Sequence, residues 1–137
     1  MPKLIKASYI TNTNAAVSSG GSSDRYEYRD QTISLGATGD YIVIKPCSPV
    51  AYQDVDTNEN VMNYLYARHM MPIKITQGDS TVIKTFMRYS TGGERDKSHM
   101  EDITVKFSNS NLILVPMGSA ERHTQQETML YYEIYTN

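Results

Sequence analysis

Apolar and polar residues alternate with a period of two along much of the chain. Ile103, Val105 and Phe107 fall on one side of a segment whose other side carries Thr104 and Lys106. Ile73 and Ile75 alternate with Lys74, and TMLYYEIYT near the C-terminal end reads as a strand on both of its faces. Successive side chains of a strand point to opposite faces, so this spacing predicts half-buried antiparallel strands with one wet face. Two stretches depart from it. IVI at 42–44 and LILV at 112–115 are continuous apolar runs, which predicts cover on both sides, as in a central strand or a subunit interface.

Turn chemistry punctuates these segments. TISLGATGDYIVIKP sets Gly36 and Gly39 between two apolar runs, MPIKITQGDSTVIKTFMRY sets Gln77, Gly78 and Asp79 there, and ITVKFSNSNLILVPM sets Ser108, Asn109, Ser110 and Asn111 there. Two β-rich runs joined by about 3–5 residues of this kind predict a hairpin, with glycine supplying the positive φ that tight loops need. One segment carries a different period. In DTNENVMNYLYARHM, residues 56–70, Val61, Met62, Leu65, Tyr66 and His69 stand at helical spacing. Thr57 or Asn58 suits an N-cap, Asp56 and Glu59 suit a helix start, and Pro72 ends the segment. Met62, Tyr64 and Tyr66 also alternate as in a strand, so the period leaves helix and strand open. The expectation is an all-β, mainly antiparallel fold: a β-sandwich, jelly-roll-like, or a small barrel of about 8–9 strands, with at most one short helix near 57–69.

Composition adds bounds. A chain of 137 residues is most naturally a single domain and folds without a metal or disulfide, since it buries roughly two-thirds of its unfolded surface. Tyr occurs 11 times, against no Trp and two Phe. Tyr suits half-buried strands, where the ring is covered and the hydroxyl reaches water, and it also makes a surface adhesive. A net charge of -2 and a pI near 5.9 give no general pull toward nucleic acid or anionic membrane. No apolar run has the length of a membrane span. Lys3 and Lys6 are followed by no apolar h-region, which predicts synthesis in the cytoplasm without a signal peptide.

The search for chemistry gives weak candidates. Cys47 is the single cysteine, with no basic or histidine neighbour in sequence to lower its pKa, so it reads as a packing residue at a strand end. His69, His99 and His123 stand in no metal-ligand spacing. His99 is near Glu101 and Asp102, and His123 is beside Glu121 and Arg122, but no third group completes a triad. No enzyme is expected. Asp54, Asp56 and Asn58 place oxygens at every second residue, as the opening of a calcium loop does. Glu59 stands where that loop needs glycine, and Leu65 where it needs an acid, so the competing reading is a polar loop leading into a capped helix. The charged stretch 90–102 contains Gly92, Gly93, Arg95 and Lys97, and suits a solvated hairpin tip, an anion cradle or a partner contact. Tyr26 and Tyr28, flanked by Arg25 and Arg29, read as one face of a strand or as a stacking platform for a sugar or base. No motif identifies a family.

The N-terminal region carries an organisational clue. KLIKASYI, residues 3–10, reads as a strand with Ile5, Ala7 and Tyr9 on one face. TNTNAAVSSGGSSD, residues 11–24, has no large apolar residue besides Val17, which predicts a flexible tether. The chain then divides into an arm, 1–24, and a sandwich, 25–137. An isolated strand is not stable alone, so the arm joins a sheet, either its own or a neighbour's by strand exchange. The tether exceeds the median connection of about 4–6 residues. The expectation is a non-catalytic structural protein that self-associates without a cofactor, with copies of itself and other structural subunits as partners. Leu4, Ile5, Tyr9 and Ile10 would donate the strand, and Arg95 and Lys97 would add contacts. A virion component, such as a capsid, capsid-decoration or tail protein, fits by fold-level analogy. The alternative is a recognition module for carbohydrate at Tyr26 and Tyr28, or for calcium at Asp54, Asp56 and Asn58.

Overall fold

The computed structural model describes residues 1–19, 25–28, 30–49, 67–69, 71–90, 97–116, 119–121 and 125–137, with side chains for 1–11, 30–47, 71–85, 102–115 and 128–137. The strands in chain order are β1 (Lys3–Ser19), β2 (Arg25–Tyr28), β3 (Gln31–Ser34), β4 (Tyr41–Pro49), β5 (Ala67–His69), β6 (Ile73–Thr76), β7 (Ser80–Ser90), β8 (Lys97–Ser108), β9 (Asn111–Pro116), β10 (Ser119–Glu121) and β11 (Gln125–Thr136). All their pairings are antiparallel.

Eight of these strands form a sandwich of two four-stranded sheets, in the orders β1-β11-β4-β6 and β7-β8-β9-β3. Strand β11 joins the sheets. Its C-terminal half, Leu130–Tyr135, pairs with β4, while Gln125–Thr128 pair with β7. Strand β1 runs along the whole of β11, and its last residues pair with β2, which in turn pairs with β10. The end of β4 pairs with β5. The expected all-β sandwich is therefore the fold. There is no helix among the described residues: 67–69 form β5, and 57–66 lie outside them.

The alternation read from the sequence decides what lies inside. Ile103, Val105 and Phe107 on β8 meet Ile42 and Ile44 on β4, Leu112 and Leu114 on β9, and Leu130, Tyr132 and Ile134 on β11 in one core cluster. Burying a side chain of this size stabilises by about 1.5–3 kcal/mol. The apolar runs 42–44 and 112–115 divide by the same rule. Ile42, Ile44, Leu112 and Leu114 are buried, while Val43, Ile113 and Val115 are half-exposed on the outer faces. At the junction of β7 and β11 the buried hydroxyls of Thr85 and Thr128 meet at 3.2 Å, so neither is desolvated without a partner.

Two of the three expected hairpins are something else. Strand β3 pairs with β9 while β4 pairs with β11 and β6, so residues 35–40 carry the chain from one sheet to the other. Residues 77–79 do the same between β6 and β7. Turn residues signal that the chain reverses, whether the next strand pairs alongside or crosses the core. The reversals themselves are as expected: the amide of Asp79 donates to the Thr76 carbonyl at 2.9 Å, with Gly78 at a φ of 90°. Gly39 answers a close approach. A Cβ there would sit 2.4 Å from the Tyr135 carbonyl oxygen. The third expected hairpin, β8–β9, is present, with Ser108 opposite Asn111 and Asn109 at a φ of 55°.

These reversals are tied together at one end of the sandwich. The side-chain amide of Gln77 donates to Thr38 Oγ1, to the Gly39 carbonyl and to the Asn109 carbonyl at 3.0–3.1 Å, and its oxygen accepts from the Asn109 amide. Asp40 accepts from the Asn137 amide at 2.7 Å and the Thr136 hydroxyl at 2.8 Å. These donors hold its carboxyl below the usual carboxylate range.

The N-terminal segment differs from its composition. Strand β1 continues through Thr11–Ser19, where a tether was expected. Thr11–Ala15 pair with Met129–Gln125 of β11, and Ala16–Ser19 continue against β2. The ladder is made by backbone groups, which Thr, Asn and Ser supply as well as Val does. Residues 20–24 lie outside the described ones. Likewise β8 begins at Lys97, opposite Tyr89, so the strand takes up much of the expected loop 90–102.

Candidate interaction surface

The outer face of the β1-β11-β4-β6 sheet gathers the aromatic side chains. The sequence YYEIY on β11 alternates, so Tyr132 and Ile134 enter the core while Tyr131, Glu133 and Tyr135 point out. The pairing register sets three rows across the strands. One runs Leu4, Tyr135, Tyr41 and Thr76; the next runs Ala7, Glu133, Val43 and Lys74; the third runs Tyr9, Tyr131 and Lys45.

Each outer row is a ladder of rings. Tyr41 and Tyr135 stack with centroids 5.2 Å apart and planes 16° apart, and the Lys74 ammonium sits 4.1 Å from the Tyr41 ring centroid. Tyr9 and Tyr131 pack at 5.1 Å with a 58° tilt, and the Lys45 ammonium lies 5.5 Å from the Tyr131 ring. These separations lie within the attractive range for aromatic and cation–π contacts. Glu133 connects the ladders, accepting from the Tyr131 hydroxyl at 2.9 Å and the Tyr135 hydroxyl at 3.0 Å.

The arrangement shifts the phenols. Partial burial, the hydrogen bond to Glu133 and the nearby carboxylate charge push Tyr131 up to about 12. The hydrogen bond to Glu133 is the largest cause of the upward shift at Tyr135. All these effects favour the neutral phenol. Tyr131 and Tyr135 therefore present neutral phenols, each tied by its hydroxyl to Glu133. The rings of Tyr41 and Tyr131 are packed between a lysine and a second tyrosine, so the row offers ring edges and hydroxyls more than open ring faces.

The arm residues border this surface. Along 3–10, β1 pairs only with β11 among the described residues. A register shift falls between Leu4 and Lys6. Leu4, Ile5 and Tyr9 remain 48%, 42% and 49% exposed, which is unusual for large apolar groups set so close together. Ile10 turns into the chain's own core. Lys6 also turns inward, donating to the Leu35 carbonyl at 2.6 Å. A bulge and an inward lysine are devices that discourage edge-to-edge strand addition, so the exposed side chains offer more for contact than the backbone edge does.

Other sequence candidates are not brought together. Tyr26 and Tyr28 lie on β2, paired in register with Ser19 and Ala16. Lys97 opens β8. His69 is opposite Cys47 and His99 opposite Met87. Asp54, Asp56, Asn58, Arg95 and His123 lie outside the described residues. Cys47 is buried, and desolvation raises its thiol pKa while Sγ donates to the Lys45 carbonyl at 3.6 Å, which keeps it a poor nucleophile. No group of three or more His, Cys, Asp or Glu is placed to hold a metal among the described residues. No helix among them is long and apolar enough to cross a membrane.

Sequence reasoning missed Tyr41, Lys45, Lys74, Tyr131, Glu133 and Tyr135 as one set. The period-two spacing of Tyr131, Glu133 and Tyr135 was the available signal; which strands flank them was not. Compared with family models, with curated proteins and with solved structures, the chain matches none.

Proposed function

We propose that the protein is a non-catalytic structural subunit that associates with copies of itself through the sheet bearing β1. The observation that carries this reading is the patch of Leu4, Ile5 and Tyr9, left exposed along a strand that is fully paired on its other edge. It adjoins a tyrosine-rich face whose rings and hydroxyls are already fixed. Tyrosine is enriched where proteins meet, and side chains ordered beforehand lose little entropy on binding. A virion component remains the setting that a sandwich subunit suggests by analogy.

The test is native mass by light scattering over a wide concentration range, for the wild type and for Leu4→Ser/Ile5→Ser/Tyr9→Ser. The expected wild-type mass rises above the 15.5 kDa of a single chain, and the triple variant stays folded and associates more weakly. A wild type that remains monomeric up to about 1 mM, where binding would be weaker than about 4 kcal/mol, ends the reading.

A further inference from the structure

The central row of the tyrosine face has a charge pattern with its own symmetry. Glu133 on β11 pairs in register with Val43 on β4, and Val43 with Lys74 on β6. One acid and one base thus flank Val43, each one strand away, about 4.8 Å per step. Glu133 is held by two phenols, but a carboxylate accepts up to about four hydrogen bonds, so it retains acceptor capacity. Lys74 lies over the Tyr41 ring. Neither is in an ion pair among the described residues, in contrast to Lys84 and Asp102 on the opposite sheet.

We infer that a second copy of this chain docks face to face on this sheet, about a two-fold axis that runs along β4 over Val43. The inference rests on the self-association proposed above and gives it a second contact, on β11, β4 and β6, besides the exposed residues of β1. Such an axis exchanges the two sides of β4, so Glu133 of each copy meets Lys74 of the other, and the charge pair forms twice. Val43 meets Val43 and Tyr41 meets Tyr41 on the axis, while Tyr135 meets Thr76. Strands of the two copies run in similar directions, which is the aligned arrangement of face-packed sheets. Lys45 also lies on β4 and would face its own mate, but its ammonium is drawn aside over Tyr131. Three strands, β11, β4 and β6, overlap about this axis while β1 lies beyond the partner's β6, and with about six residues along each they give a footprint of roughly 15 Å by 20 Å. That is small beside the about 800 Å² per partner of a standard interface, so the dimer is concentration-dependent.

Charge swapping tests the axis. E133K and K74E each place like charges across it and should weaken self-association by at least about tenfold. An equimolar mixture of the two variants should recover assembly, because the heterodimer restores both opposite-charge pairs. A role of Glu133 in merely holding its tyrosines predicts no such recovery. V43C gives an independent reading that leaves the charges in place. Face-packed sheets stand about 10 Å apart, too far for a direct disulfide, so a bis-maleimide of about that span should cross-link two copies, while the native Cys47 is buried and does not compete. Wild-type assembly with neither recovery on mixing nor a V43C cross-link overturns the axis and leaves self-association standing. A monomeric wild type overturns both.

Discussion

The two outer faces of the sandwich rest on one core and obey one alternation, yet they present different chemistry. On the β1-β11-β4-β6 sheet the outward positions include Tyr9, Tyr41, Tyr131 and Tyr135, linked through Glu133 and flanked by Lys45 and Lys74. On the β7-β8-β9-β3 sheet the corresponding rows are Ser80, Lys106, Ile113 and Thr32, then Val82, Thr104 and Val115, then Lys84 and Asp102. No tyrosine is among these. The inward positions are constrained by packing and are mostly aliphatic or aromatic on both sheets, with Thr85, Thr128 and Lys6 as exceptions. The outward positions are free to differ, so a concentration of tyrosines on one side is where recognition is best sought.

The comparison is broken most completely from inside. Phe107 is fully buried on β8 and packs into the cluster shared by both sheets. Phe107→Ala should cost about 3–5 kcal/mol, the lost transfer energy plus the cavity left behind. Urea denaturation followed by circular dichroism measures it. Tyrosine fluorescence should report the same midpoint, since both faces stand on a single cooperative core. Separate midpoints would show that the sheets unfold apart.

High pH sharpens the contrast next. The folded pKa of Tyr131, about 12, exceeds its ordinary value of 10.0. Between those values the native state holds a proton that the unfolded chain has released, so stability falls as pH rises. The contribution is fully present below about pH 10 and is lost as the pH climbs through about 12. Tyrosinate absorbance should show a late-titrating component in the native protein. Glu133→Gln should move that component to lower pH, because it removes the carboxylate charge that opposes ionisation. An unmoved titration would show that Glu133 does not govern the phenols. The opposite face has no equivalent group among its described side chains.

The legible part of this structure was local. Ile103, Val105 and Phe107 announced their buried side by spacing, and Asn109 announced the β8–β9 turn. What the sequence did not reveal was which strands become neighbours. Gly36, Gly39 and Gly78 mark reversals, but the pairing of β3 with β9 and of β4 with β11 depends on contacts between residues far apart in the chain. The tyrosine face needed that information, because Tyr41, Lys74 and Glu133 come from three separate strands. Composition also misled at 11–19. Ser, Thr and Asn there suggested a tether, but β11 supplies a backbone template that side-chain polarity does not veto. The arm was legible as a strand through Leu4, Ile5 and Tyr9, and its place at the border of a larger face was not.

The smallest expected effect is on the polar face, and it separates contact from consequence. Lys84 Nζ and Asp102 Oδ1 are 3.4 Å apart, with side chains 63% and 47% exposed. Such a pair gains little in water, because each ion is well solvated without the other and both side chains lose freedom by meeting. Lys84→Ala should change stability by no more than about 0.5 kcal/mol and should leave the native mass unaltered. That null matters for the tyrosine face, where charges of similar exposure are proposed to matter only when a second copy excludes water from them. If Lys84→Ala lowered self-association as far as K74E does, charge would be acting over the whole surface, and the distinction between the two faces would fail.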